Sequence, residues 1–120
     1  MNAFWRAATV VAGVMLAASA HAQTAIILAP LDVSTVATGG TAVTAVAHYN
    51  RLRGGWLNNP STATTNLCIN EMDGQAATTT PGGNVTCIAP AQTYLLAPSG
   101  NSVSVVSSDS GHAFSGYAWR

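Results

Sequence analysis

The chain predicts an all-β fold: one small single-domain antiparallel β-sandwich or jelly-roll-like barrel of about seven strands, behind a cleavable N-terminal signal helix. Three observations carry that expectation. After the first two dozen residues no long segment repeats apolar residues at i, i+3, i+4 and i+7, whereas short alternating runs are frequent. Turn signals rich in Gly, Pro and Asn return about every 8 to 12 residues, the spacing of a sandwich or small barrel.

The signal comes first. Met1 to Arg6 carries one cation, Ala7 to Ala18 is uncharged and mostly apolar, and Ser19-Ala20-His21-Ala22 has the small residues of an A-x-A cleavage site. The apolar run is shorter than the roughly 20 residues of an ordinary membrane span. Residues 1–22 are therefore expected to be removed, leaving 23–120 as one β-sandwich domain, secreted or periplasmic, with no membrane span.

The strands follow in order. Thr24 to Ala29 is a short apolar run ended by Pro30, and Thr41 to His48 alternates two sets that suit a sheet with both faces at least partly covered. Gly54-Gly55 marks a turn or bulge before Trp56-Leu57, and Asn58-Asn59-Pro60-Ser61 has loop chemistry. Asn66 to Asn70 places Leu67 and Ile69 on one face and Cys68 on the other. The chain is expected to reverse at Asp73-Gly74 or at Pro81-Gly82-Gly83, and Val85 to Ile88 returns. Gln92 to Ala97 makes another strand, and Val103 and Val105 alternate with Ser102 and Ser104. His112 to Trp119 closes the domain.

A predicted mature chain of roughly 100 residues buries only about 60 to 70% of its unfolded surface and benefits from a staple. Cys68 and Cys87 are the only cysteines. In an exported chain they read as a disulfide.

Charge excludes one class of partner. The mature part holds Arg51, Arg53 and Arg120 against Asp32, Glu71, Asp73 and Asp109, with no lysine. Nucleic acid is not expected to bind, because three arginines form no basic face. A near-zero net charge favours association, so self-association or a protein partner is expected, although the same composition also suits an uncharged monomer.

Catalytic patterns are weak. The stretch Gly111-His112-Ala113-Phe114-Ser115-Gly116 lacks the spacing of a nucleophile elbow. Glu71 and Asp73 are two apart, but Asp73-Gly74 reads as a turn with Glu71 solvated beside it. His48, Cys68, Cys87 and His112 lack paired zinc-ligand spacing. The expectation is a protein that is not an enzyme and uses no cofactor or metal. For ligand binding the candidates are the rings of Trp56, Tyr94 and Trp119, which on a β scaffold can stack on a glycan. Arg51 and Arg53 can in principle hold a carboxylate or phosphate, though their segment reads more simply as a solvated loop.

From Gly54 onward the order of motifs resembles small virion-associated or prophage-encoded β-sandwich proteins of bacteria. The matching residues are Gly55-Trp56-Leu57-Asn58-Asn59-Pro60, Leu67-Cys68-Ile69-Asn70 with Gly74-Gln75-Ala76-Ala77, Ile88-Ala89-Pro90-Ala91-Gln92-Thr93-Tyr94, and Val103-Ser104-Val105 leading to Gly111-His112-Ala113-Phe114-Ser115-Gly116. Where Ala91 stands, such proteins usually have glycine. The resemblance implies a structural or accessory module without enzymatic activity, and it carries over no functional residue.

Overall fold

The computed structural model describes residues 27–120. The expected signal segment 1–22 and the start of the predicted mature chain lie outside the described residues. Ten short strands form in chain order: β1 (Leu28–Pro30), β2 (Thr35–Val36), β3 (Val43–Val46), β4 (Gly55–Asn58), β5 (Leu67–Asn70), β6 (Val85–Ile88), β7 (Thr93–Leu96), β8 (Val103–Val106), β9 (His112–Ala113) and β10 (Ser115–Trp119). All pairings are antiparallel. One four-stranded sheet, here the front sheet, runs β1-β10-β4-β7, and the back sheet runs β3-β8-β5-β6.

The sandwich forms because each sheet turns an apolar face to the other. Ala29, Leu57, Leu96 and Ala118 of the front sheet join Val46, Leu67, Ile69, Ile88, Val103 and Val105 of the back sheet in one buried cluster. These residues alternate along their strands with outward ones, as the two-residue period of a strand requires. In β3 the register slips between Thr44 and Val46. That bulge puts Ala45 and Val46, which are neighbours in sequence, into the same core.

Two departures from the sequence expectation concern strand number. The expected closing strand His112–Trp119 is two strands: β9 pairs with β2 in a separate two-stranded sheet, and β10 enters the front sheet. Buried Phe114 lies between them, its N–H donating to the Ser34 carbonyl instead of to either partner strand. The segment 31–40 also contributes β2, whose two residues are too short to produce a legible alternation.

The reversal after β5 falls at Gly82-Gly83, where Gly82 and Val85 exchange both backbone hydrogen bonds. Before it, the chain from 71 to 81 crosses the outer face of the back sheet. Ala77 is buried there against Cys68 and Val106, and its N–H donates to Ser104 Oγ at 2.9 Å. This cover makes all four residues of β5 buried. Cys68 and Cys87 are directly opposed in the β5–β6 register and form a disulfide. That staple suits an oxidising location outside the cytoplasm.

A second tight turn positions β7. Ala89, Pro90, Ala91 and Gln92 close with Gln92 N–H donating to Ala89 O at 3.1 Å, and Ala91 takes φ 68°. Proline at the second position and positive φ at the third are the marks of a type II turn, which favours glycine at the third.

Candidate functional site

The front sheet's outer face is the most distinctive surface of the described residues. Register sets Pro30, Tyr117, Trp56 and Leu95 side by side across all four strands, and Leu28 opposite Trp119 one step along. One step the other way, Ser115, Asn58 and Thr93 form a polar row. The inward partners are small or buried: Ala29, Ala118, Gly55 and Leu96 make up the row beneath. With Ala118 buried in β10, alternation turns Tyr117 and Trp119 outward together.

Much of this face is open. Leu95 is 78% exposed, Leu28 59% and Tyr117 47%, and the two tryptophans are partly covered. Trp56 and Tyr117 meet edge to face, with ring centroids 5.9 Å apart at 61°, a favoured arrangement for two rings. The backbones of β4 and β10 come close because β10 carries Gly116, where a Cβ would collide with the Trp56 carbonyl oxygen. In the polar row Thr93 Oγ1 donates to Asn58 Oδ1 at 3.1 Å. No ionic side chain belongs to these rows.

Of the residues the sequence singles out, the structure brings Trp56 and Trp119 to this face. It separates Tyr94 from them. Tyr94 shares the inward side of β7 with buried Leu96, and its hydroxyl donates to Glu71 Oε2 at 2.6 Å. Burial, reinforced by the hydrogen bond and charge of Glu71, pushes the Tyr94 phenol up to about 12. Tyr117 takes its place among the surface rings, and its spacing of two from Trp119 is the sequence signal that marks it.

The arginine pair also divides. Arg51 is not in a solvated loop: it is 1% exposed, with Nη1 donating to Glu71 Oε1 at 2.8 Å and to Ala97 O, Nη2 to Glu71 O, and Nε to Asn101 O. Glu71 is correspondingly not a free carboxylate, since Oε1 also accepts from Ala97 N–H and Oε2 from Tyr94. Both side chains are occupied inside the chain, so neither faces an external ligand. Arg53 is exposed, and its backbone N–H donates to the Trp119 carbonyl at the end of the aromatic face. Asp73 acts apart from Glu71. The Ser102 backbone N–H holds its carboxyl below the usual value; desolvation opposes this, and the Ser102 hydroxyl and nearby His48 add to the lowering.

A second cluster closes one end of the sandwich. Asn59 Nδ2 donates to the Thr65 and Ile88 carbonyls, which turns its Oδ1 toward His112 Nε2 at 2.8 Å. Nε2 must therefore carry the proton in the neutral ring, leaving Nδ1 to accept. Ser107 Oγ lies 2.9 Å from Nδ1 and Thr65 Oγ1 3.2 Å, while Asp109 Oδ2 accepts from Thr64 and Thr65. The line Ser107–His112–Asn59 has the order of a nucleophile, a base and its orienting amide. Ser107, however, is 0% exposed. The adjoining depression of about 290 Å³ is lined by Thr64, Asp109 and His112 but not by Ser107.

Comparison with known proteins adds no relative. No protein-family model, curated protein or solved structure matches the chain.

The two cysteines are bonded to each other and so offer no thiolate to a metal. His48 faces Asp73 at 3.1 Å, and His112 is held by Asn59, Ser107 and Thr65. Among the described residues no three of His, Cys, Asp and Glu cluster as metal ligands would.

Proposed function

We propose that this chain is an exported, non-enzymatic interaction module whose working surface is the outer face of the front sheet. One observation carries the reading: in-register Pro30, Tyr117, Trp56 and Leu95 form a continuous apolar row across four strands, left open on a small domain. A contiguous apolar patch with a polar border is characteristic of an interaction surface. The buried polar residues serve the fold. Arg51 and Glu71 hold loops together, and Ser107 is sealed from any substrate.

The motif resemblance from Gly54 onward supports an accessory role of phage or prophage origin, and the A-x-A leader supports secretion or residence in the periplasm. The Cys68–Cys87 disulfide is consistent with that location.

The test compares the exported protein with Leu95→Arg, which sets a cation in the apolar row without disturbing the core. Light scattering and co-sedimentation with cell envelope or phage particles should show association by the native protein and its loss in the variant. A native protein that stays monomeric and sediments with neither would overturn the reading.

A further inference from the structure

The outer face of the front sheet has a chemistry that selects its occupant, and we infer that the occupant is a neutral polysaccharide lying across the strands. This rests on the reading of that face as the working surface and adds the class of ligand. A pyranose presents an apolar face of C–H groups and a rim of hydroxyls. The front sheet presents the complement of both. Trp56 and Tyr117 supply partly exposed aromatic surface on neighbouring strands, with Trp119 two residues along β10 on the same side.

Beside the rings runs the polar row Ser115–Asn58–Thr93. It is two residues further along each strand, or about 7 Å by the rise of an antiparallel strand. That offset is within reach of a sugar stacked on the rings. The hydroxyls and amide in the row can each donate and accept, as sugar hydroxyls do. An apolar partner would bury the Ser115 hydroxyl and the Asn58 Nδ2 without partners, since only Thr93 Oγ1 and Asn58 Oδ1 satisfy each other within the row, at a cost that disfavours it. Charge sets the remaining choice. None of these side chains is ionic, so an acidic glycan finds no countercharge within the rows, whereas a neutral one needs none.

The arrangement is also rigid before any ligand arrives. The edge-to-face contact fixes Trp56 against Tyr117, the Thr93–Asn58 hydrogen bond fixes the polar row, and Gly116 lets the two ring-bearing strands approach closely. Groups that are ordered in advance lose less entropy on binding.

The experiment is affinity electrophoresis of the full exported protein in gels containing hydroxyethylcellulose, xylan, galactomannan or dextran, with light scattering on the same samples. At least one neutral polymer should retard the native protein. Trp56→Ala and Tyr117→Ala should weaken that retardation at least tenfold, Asn58→Ala severalfold, and Tyr117→Phe little. Near-UV circular dichroism checks the fold of each variant. If Trp56→Ala does not fold, Leu95→Arg on the exposed edge strand supplies the same test from outside the core. Retardation by none of the four polymers, or retardation that survives both ring deletions, overturns the inference. A native dimer dissociated by Leu95→Arg, with no retardation, would make a second copy the occupant: the glycan inference fails and the interaction reading stands. A monomer without retardation or any other association through this face fails both.

Discussion

Arg51 and Glu71 form a nearly sealed ion pair: Nη1 stands 2.8 Å from Oε1, with the arginine side chain 1% exposed and the glutamate side chain 23%. The pair gathers three loops, because the same guanidinium also reaches the carbonyls of Ala97 and Asn101. Breaking such a pair from one side strands a buried charge, which typically costs about 3–5 kcal/mol. Glu71→Gln should therefore lower the urea midpoint sharply, while Arg51→Met combined with Glu71→Leu should lose less than the two single changes added together. Strict additivity in that cycle would show that the two residues do not act as a pair.

Ser107, His112 and Asn59 have the order of a catalytic line without its access. Ser107→Ala should cost about 0.5–1.5 kcal/mol, the net worth of one hydrogen bond, because Thr65 Oγ1 still stands 3.2 Å from the same imidazole nitrogen, and should change no hydrolytic activity. Nitrogen NMR on the neutral ring should report the proton on Nε2, as Asn59 dictates. A fluorophosphonate that labels the native protein and not Ser107→Ala would make this an active site after all.

Local chemistry was enough for the turns and most strands, and long-range pairing was not. Leu67 and Ile69 are recognisable as sharing one face because they alternate with Asn66, Cys68 and Asn70, Pro90 ends a strand by its missing N–H, and Asp73-Gly74 and Pro81-Gly82-Gly83 both offer a chain reversal by their own backbone preferences. Arg51 could not be recognised as buried, since its burial depends on Glu71 twenty residues further on, brought close by the sandwich. Tyr94 and Leu95 are adjacent apolar-bodied residues of β7, and only the burial of Leu96 decides which of them faces inward. The aromatic face has the same character: β10 alone pairs Tyr117 with Trp119, but Trp56 joins them only through the β4–β10 register.

Ala91 is a local strain that the chain can be relieved of. Its φ of 68° lies in the left-handed region, where a Cβ costs roughly 1–2 kcal/mol, and the type II turn it occupies favours glycine there. Glycine restores about 0.4–1 kcal/mol of unfolded-state entropy in opposition. Ala91→Gly should thus raise stability by roughly 0.5–1 kcal/mol, measured by chemical denaturation, and leave the front face unchanged. A clear loss of stability would mean that the Ala91 methyl makes contacts worth more than the strain.

The disulfide closes a loop with a sequence separation of 19. A closed loop of about that length contributes roughly 3 kcal/mol in the chain-entropy account. Reduction should add two hydrogens to the intact mass and lower the melting temperature, and Cys68→Ala with Cys87→Ala should reproduce the destabilisation without reductant. Free thiols in freshly purified, unreduced protein would contradict the bond.

Tyr94 gives the protein an alkaline limit. Burial first, and then the hydrogen bond and charge of Glu71, raise the folded phenol from 10.0 to about 12. Between those values the unfolded chain has released the Tyr94 proton and the folded chain still holds it, so the folded state binds more protons and unfolding becomes easier as pH rises. The stabilisation is complete below pH 10 and is lost as pH climbs toward 12. Denaturation midpoints should fall across that window, and Tyr94→Phe, which has no proton to lose, should flatten the part of the slope due to this residue. Tyrosine absorbance titration supplies the independent check, since one phenol should ionise near 12 in the native protein and be missing from the variant. An unchanged slope in Tyr94→Phe would place the alkaline sensitivity elsewhere and deny the Glu71–Tyr94 hydrogen bond its role.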